Sequence, residues 1–211
     1  MSETSNKTSG KTSKLPLILI IVITIAVMLS GFLLLPKDDG ARNRLLSFLG
    51  TSNRGILLQP VFSLAEMPLM DQEGEPWAWQ DQAPKWRLLL PFVGECKEAC
   101  REFLYISRQV HIRLDKKTQR VKRVFLNLGA PLDDEMKAFL NREHPYLTVV
   151  RGDEAAFLAL IGDGNSHWSA DDPRLFVVDQ QAVAMMYYSP EHEGSDLLRD
   201  LKHLIKYSPE L

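Results

Sequence analysis

Residues 86–114 read WRLLLPFVGECKEACREFLYISRQVHIRL and include the only two cysteines of the 211-residue chain. The apolar run from Leu88 to Val93 has the length of a fully buried strand, and Gly94 allows the backbone to turn sharply after it. From Ala99 to Leu114 apolar residues recur every three or four positions, as on one face of a helix. The pattern therefore predicts a strand, a turn that carries the thiols, and a helix.

The two cysteines, Cys96 and Cys100, fall at the N-terminus of the predicted helix. Unpaired backbone N–H groups and the helix dipole stabilise a thiolate there, and a thiolate is both a nucleophile and a soft metal ligand. Two residues four apart inside a helix have Cβ atoms roughly 5–6 Å apart, whereas a disulfide needs ~3.5–4.5 Å. We therefore expect Cys96 in the loop and Cys100 in the first helical turn. A redox pair, a metal-binding pair and a buried pair of unreactive thiols remain open alternatives.

The composition predicts one folded domain behind an apolar segment. The chain is 45% hydrophobic with a formal net charge of −2, so it can bury one core and has no basic excess for nucleic acid. Leu17 to Leu35 is free of charged residues and long enough to cross a ~30 Å hydrocarbon layer. We predict a single transmembrane anchor. A cleaved signal peptide is the alternative, since Ser30 and Gly31 are small, but the run stays apolar beyond them without an A-x-A pattern.

The predicted organisation has four parts, which are a disordered cytoplasmic tail at 1–15, the anchor at 16–35, a juxtamembrane linker at 36–59 and a folded domain at 60–211. Lys and Arg nearly balance on the two flanks of the anchor, so charge sets the orientation weakly. A short N-terminal tail is the easier one to retain in the cytoplasm. We therefore predict a single-pass protein of the bacterial inner membrane, held by the lipid bilayer, with its C-terminal domain in the oxidising periplasm.

The element order predicts an α/β fold. After the thiol helix, apolar strands are expected at Val124–Leu128 and Tyr146–Val150, each followed by a helix. A hairpin follows from Arg174 to Tyr188, and a last helix carries an apolar stripe from Leu197 to Ile205. The order from residue 86 is thus βα, βα, βα, ββ, α, which builds a central sheet with helices on its faces.

With a strand, a CxxxC motif and a helix followed by that order, behind one anchor, the sequence resembles the Sco family of membrane-anchored, thioredoxin-like cytochrome c oxidase assembly proteins. The resemblance spans about residues 60–207. The thiol motif is its one specific element, and the other segments match in pattern. The segments that carry the resemblance are FSL at 62–64, DQEG at 71–74, FVGECKEAC at 92–100, LFVVD at 175–179 and the helix at 197–206.

The resemblance implies a thioredoxin-like fold and the handling of copper and thiols at the binuclear copper site of oxidase subunit II. It also implies that Cys96, Cys100 and one histidine hold Cu(I). This chain departs from the family pattern at two places. Members usually have a proline after the second cysteine, where this chain has Arg101. Their histidine stands about five residues before the strand core, whereas the nearest candidate here, His167, precedes Phe176 by nine.

Pro173 is a second candidate site residue because it directly precedes a strand that should lie beside the thiol turn. Proteins that resemble thioredoxin place a cis-proline there, packed against the disulfide, and such a residue would favour thiol exchange over metal storage. An ordinary trans proline at the start of a strand is the equal alternative, since only ~5–6% of X-Pro bonds in folded proteins are cis.

The other histidines are weaker ligand candidates. His111, His144 and His203 are predicted to be structural or solvated, with His111 and His203 on exposed helix positions, and His192 lies between two glutamates after the returning strand. His167 is therefore the preferred third ligand.

Three functions follow from these patterns. The first is an assembly factor for cytochrome oxidase that uses Cys96 and Cys100 to bind Cu(I) or to reduce the thiols of the copper site, with subunit II or other assembly factors as partners. The second is a general membrane-tethered thiol–disulfide oxidoreductase, and the third is a non-catalytic scaffold with a static disulfide. Metal binding requires His167 to reach the thiol turn, whereas exchange requires Pro173 to face the sulfurs.

Overall fold

The computed structural model describes residues 14–34, 53–162, 164–165 and 168–209. It divides into two compact units, residues 1–52 and 53–211, which are described separately. Nearly all of the predicted cytoplasmic tail and most of the predicted linker lie outside the described residues.

The first unit contains helix α1, Leu15–Leu34, and the side chains from Leu15 to Leu29 are largely exposed apolar groups. Among the described residues, no helix meets the length and apolarity that crossing a membrane requires. The transmembrane anchor therefore stays a prediction.

The second unit is a mixed α/β domain whose element order from Trp86 onward is βα, βα, βα, ββ, α, as the sequence predicts. Its strands are β1 Ile56–Ser63, β2 Leu69–Met70, β3 Pro76–Trp77, β4 Trp86–Phe92, β5 Val121–Asn127, β6 Leu147–Arg151, β7 Leu175–Val178 and β8 Val183–Tyr188. Its helices are α2 Glu98–Arg113, α3 Asp134–Glu143, α4 Glu154–Ile161 and α5 Gly194–Tyr207, with a 3-10 helix at Asp115–Arg120.

The strands form one eight-stranded sheet over the described residues, in the order β1-β8-β7-β4-β5-β6-β2-β3. β4, β5 and β6 run parallel, and the remaining neighbours pair antiparallel. In β4, Leu89 pairs with Val124 of β5 and with Phe176 of β7. All seven residues of β4 are buried, because a central strand covered on both faces needs a continuous apolar run.

Alternate residues of β4 enter two separate apolar cores. Leu88 and Leu90 contribute to the core under α2, α3 and α5, whereas Leu89 contributes to the core that includes α4. Each fully buried leucine contributes about 1.5–3 kcal/mol relative to an exposed one. These two cores hold β4 rigidly and thereby hold the start of the thiol turn.

The carboxyl ends of β4 and β5 lie side by side, and the thiol turn begins there. The Leu128 N–H donates to the carbonyl of Phe92 at 2.8 Å, so the backbones of the two neighbouring strands remain hydrogen-bonded one residue past the end of β5. Gly94 then has φ +77°, a left-handed conformation that glycine adopts without steric cost. A Cβ on Gly129 would lie 3.2 Å from the Gly94 nitrogen, so the two loops approach closely.

Candidate functional site

The two cysteines form a disulfide at the junction of β4 and α2. Their Cα atoms are 5.3 Å apart. Cys96 precedes the N-cap residue Lys97, and Cys100 is the third residue of α2, which confirms one cysteine in the loop and one in the first turn. Cys96 is 5% exposed and Cys100 is 7% exposed. Any molecule that reacts with the two sulfur atoms must therefore reach them through openings in the surface beside them.

The N-terminus of α2 lacks the side-chain cap that the next two helices have. Asp133 Oδ1 accepts from the Met136 N–H at 2.7 Å in α3, and Asp153 Oδ1 accepts from the Ala156 N–H at 2.8 Å in α4. Lys97, the N-cap of α2, makes no such bond. No carboxylate cap therefore competes with a Cys100 thiolate for the first N–H groups of α2, and these groups and the helix dipole would stabilise it.

Two clefts flank the disulfide. The Cys100 cleft, about 460 Å³, lies between the 91–100 turn and the loop with Trp168 and Pro173. The Cys96 cleft, about 430 Å³, lies between the turn, Arg101 and the side of α3 that carries Phe139. Each cleft is lined by one cysteine, so the two sulfur atoms are approached from different sides.

Pro173 lines the Cys100 cleft together with Cys100, so the structure brings these two predicted site residues together. The Asp172–Pro173 peptide bond is trans, since the cis bond in the described residues joins Gln59 to Pro60. The trans alternative for Pro173 is therefore the one observed. The segment before it is held by the Asp172 N–H, which donates to Ser169 O at 3.1 Å, and by Arg174 Nη2, which lies 2.7 Å from Asp172 Oδ2.

His167 lies outside the described residues, so its role as a third copper ligand stays a prediction. Within the described ranges, no group of three or more His, Cys, Asp or Glu side chains is arranged to hold a metal ion. His192 Nδ1 instead contacts Ser189 Oγ at 2.9 Å.

Two of the histidines predicted to be structural or solvated are in contact with other elements. The exposed position predicted for His111 is wrong, because its ring is half-buried and Nε2 lies 3.0 Å from the Val121 carbonyl. His144 is 5% exposed and contacts Arg123. Burial lowers the pKa of both histidines, and the pKa of His144 falls to about 4.

Trp168 and Phe139 belong to the site, and the sequence did not identify them as site residues. Trp168 is 3% exposed, packs edge-on against Phe157 with ring centroids 5.4 Å apart, and lines the Cys100 cleft. The sequence feature that could have identified Trp168 is its position as a large aromatic residue in a polar loop just before Pro173. Phe139 was predicted only as part of an apolar helix face, but its ring also borders the Cys96 cleft.

Residues 86–208 match the family model described as "transmembrane-like, thioredoxin-like, C-terminal domain". This range covers more than half of the chain and contains the disulfide, both clefts and most of the sheet. Among proteins of curated function, no sequence matches the chain.

The fold is similar to that of solved Sco proteins. A SCO1/SenC family lipoprotein from Bacillus anthracis has a TM-score of 0.52 and 18% identity, with 68% of this chain and 95% of that one covered. Yeast Sco1 with copper bound has a TM-score of 0.53 and 12% identity, with 76% and 97% covered. BsSco, described with a disulfide switch, has a TM-score of 0.52 and 13% identity, with 70% and 96% covered. The resemblance to the Sco family is thus confirmed in fold, at an identity that marks a divergent chain.

Proposed function

This chain belongs to the family of transmembrane-like, thioredoxin-like C-terminal domains, and from that premise we propose that it is a membrane-attached, Sco-like thiol protein of cytochrome c oxidase assembly. The observation that carries the proposal is the Cys96–Cys100 disulfide, which lies at a helix N-terminus with one cleft beside each sulfur. A disulfide that served only to stabilise the fold would not need an open cleft beside each cysteine. Exchange with the thiols of a client protein does need them.

The proposed client is the copper site of oxidase subunit II, whose cysteines must be reduced before they can receive metal. Two features of the fold neighbours support this choice, since one is described as a member of a family of cytochrome c oxidase assembly proteins and another was solved with copper bound. Because these neighbours are less than 20% identical to this chain, the comparison shows a shared fold. The client protein and the copper cargo of this chain are our proposal.

Cu(I) is the proposed cargo of the reduced pair. Thiolates are soft ligands that select Cu(I) over harder divalent ions. Cys96 and Cys100 lie close enough to bond each other, so after reduction both sulfur atoms can reach one ion. His167 remains the predicted third ligand.

The copper role is tested by titrating the reduced protein with Cu(I) under anaerobic conditions. We expect tight one-to-one binding that disappears in Cys96→Ser. The matched control is Ser47→Ala, 49 positions before Cys96 in the sequence, which should bind Cu(I) as the wild type does. Binding in the micromolar range or weaker would remove copper as cargo.

Reduction potential separates thiol–disulfide exchange from the alternative of a scaffold with a static disulfide. A structural disulfide in an extracytoplasmic protein typically lies below about −300 mV, whereas exchange-active pairs lie higher. We expect this pair above that value in equilibrium with a glutathione buffer. A lower value would favour the scaffold with a static disulfide.

Membrane attachment through α1 is also part of the proposal. The uncharged run from Leu17 to Leu35 supports it, as do exposed apolar side chains such as Ile20 and Met28, which a lipid bilayer would cover. The proposed orientation places the folded unit in the periplasm, where a disulfide can persist.

A further inference from the structure

We propose that a cavity at the amino ends of β4, β5 and β6, the amino-end cavity, is a binding site for a phosphate group. This inference goes beyond the proposed thiol and copper functions, because the cavity lies at the end of β4 remote from the thiol turn. Arg87, which lines it, is the second residue of β4. At about 3.3 Å per residue, Arg87 and Phe92 are roughly 16 Å apart along the strand.

The amino-end cavity is lined by positive charges and neutral donors. It has a volume of about 130 Å³. Because a cavity needs about 10–15 Å³ to hold one water molecule, there is room for a phosphate group. None of the described residues that line it carries a carboxylate. The lining residues that could hold an anion are the cations Lys85, Arg87 and Lys122 and the neutral groups of Gln82 and Thr148.

The strand register brings several of these groups to one face of the sheet. Arg87 and Lys122 are paired positions on the parallel neighbours β4 and β5, so their side chains leave the same face. Thr148 of β6 pairs with Val124, two positions after Lys122, and its side chain therefore leaves that face too. Like charges at neighbouring positions repel each other, and an anion bound between them would offset the repulsion.

Arg87 distinguishes this cavity from a cluster of surface lysines, because it is 2% exposed. Within the described residues, its guanidinium donates to the carbonyls of Lys85 at 2.9 Å, Ala83 at 3.1 Å and Asp179 at 3.2 Å. A guanidinium has five N–H donors, so donors remain for a ligand. Burial lowers the pKa of Arg87 and the Asp179 charge raises it, and an arginine stays protonated in either case.

Trp79 places a further donor beside this group. It is 3% exposed, and its indole N–H has no acceptor among the described residues. Its ring centroid lies 5.1 Å from the guanidinium carbon of Arg87 and 4.7 Å from the ring centroid of Trp77, and both of these residues line the cavity. The surroundings of Arg87 are therefore richer in donors than in acceptors, as a site for an anion requires.

The nearby carboxylates do not occupy the cavity. Asp179 is the acid whose charge acts on Arg87, and its Oδ1 accepts from the N–H groups of Gln181 and Val183 at 2.8 Å each. Asp81 is exposed, and neither acid is among the residues that line the cavity.

A wider cleft extends the positive surface. Its volume is about 400 Å³, and it adjoins the amino-end cavity at Lys85, which lines both. Its other cations are Lys116, Lys117 and Arg120, and no carboxylate is among its described lining residues. A surface of one sign raises the local concentration of an oppositely charged ligand, so this cleft would draw a phosphate group toward the cavity.

A phosphate group can come from free inorganic phosphate or from a phospholipid headgroup, and the experiment separates these sources. Full-length protein in detergent, with its disulfide intact, is titrated by calorimetry with inorganic phosphate. A second titration uses glycerophosphoglycerol, the soluble headgroup of phosphatidylglycerol. Chloride keeps the ionic strength constant throughout. The ligand that binds more tightly identifies the source.

The variants are Lys85→Gln, Lys122→Gln and the control Lys202→Gln. Arg87 is left in place because its three carbonyl contacts support the fold, whereas Lys122 is exposed and can be changed safely. Lys202 is exposed on α5, next to Leu201, which belongs to the core on the opposite face of the sheet from Val124. Lys202→Gln therefore makes the same charge change away from the cavity.

We expect the wild type to bind one phosphate group per chain. Lys85→Gln and Lys122→Gln should each weaken binding about tenfold, which corresponds to about 1.4 kcal/mol, and Lys202→Gln should leave it unchanged. Absence of saturable binding with both ligands up to about 10 mM, or an equal loss in Lys202→Gln, would overturn the inference. The assay involves neither copper nor thiol exchange, so its result is independent of the tests of the proposed function.

Discussion

Arg123 is a buried cation whose hydrogen bonds within the described residues go to neutral groups. It is 2% exposed, and its guanidinium donates to Ser107 Oγ at 3.1 Å and to the Leu104 carbonyl at 2.9 Å. Its third contact is His144 Nδ1 at 3.2 Å. Burial lowers the pKa of Arg123 to about 10, so it is charged at pH 7. His144 must then accept through a neutral Nδ1, with its proton on Nε2.

This pair predicts acid sensitivity. Burial, and then the charge of Arg123, lower the pKa of His144 to about 4, against about 6.5 in the unfolded chain. The unfolded state therefore binds more protons between these values. The free energy of unfolding should fall as the pH drops from about 6.5 to about 4, by an amount on the order of 3 kcal/mol.

His144→Gln isolates the effect, because an amide oxygen can still accept from Arg123 but does not titrate. Urea denaturation at pH 7 and pH 4.5 should show that the stability difference between wild type and His144→Gln shrinks or reverses at the lower pH. Using a difference cancels the contribution of His111, whose pKa burial also lowers. The exposed His203, changed to Gln, serves as the control. A difference that does not vary with pH would contradict the assignment.

Individual residues were predictable from the sequence where the controlling contacts are local. Cys96 and Cys100 are four positions apart, so strand and helix geometry placed them correctly in the loop and the first turn. The partners of Arg123 and His144 are 16 to 21 positions away in sequence. A periodic pattern in the sequence cannot predict these contacts, because they depend on how α2, β5 and α3 pack against one another.

The turn between β4 and α2 depends on one backbone conformation. Gly94 has φ +77°, and no atom lies within 4 Å of where its Cβ would be. Gly94→Ala should therefore cost about 1–2 kcal/mol from backbone strain alone. Because the strain falls two residues before Cys96, the rate at which dithiothreitol reduces the disulfide should also change.

Gly74 offers a matched control for this substitution. It has φ +90° in the turn between β2 and β3, also with open space at the Cβ position, and it lies in neither cleft beside the disulfide. Gly74→Ala should lose a similar amount of stability in urea while its disulfide is reduced at the wild-type rate. Equal reduction rates in all three proteins would show that the Gly94 conformation does not set access to the sulfurs.

The strands and helices were predictable in order, and their pairing was only partly so. The apolar run of β4 required burial on both faces, and the structure confirms this. The pairing of the strands at the two edges of the sheet was not predictable, because β1 pairs with β8 and the short β2 pairs with β6. Those pairings bring together segments more than 80 positions apart, and short edge strands carry too few residues for a periodic signal.

The whole chain combines a folded unit that buries its own cores with an N-terminal helix whose apolar side chains are exposed. The folded unit and the N-terminal helix favour different surroundings, because exposed runs of Ile, Leu and Val are unfavourable in water and favourable in hydrocarbon. The sequence pattern alone supports this division, since Leu17 to Leu35 is uncharged and the residues after it are mixed.

Reporter fusions test the proposed orientation of the chain. A reporter that is active only in the periplasm should work when fused after Leu211 and fail when fused before Lys14, because the proposed anchor crosses the membrane once with its N-terminus in the cytoplasm. A cytoplasm-active reporter at the same two positions is the control and should give the reverse pattern. If the periplasmic reporter worked only before Lys14, the folded unit would lie in a reducing compartment. Cys96 and Cys100 would then be kept as thiols, because cytosolic thiols are maintained reduced, and exchange with periplasmic clients would be excluded.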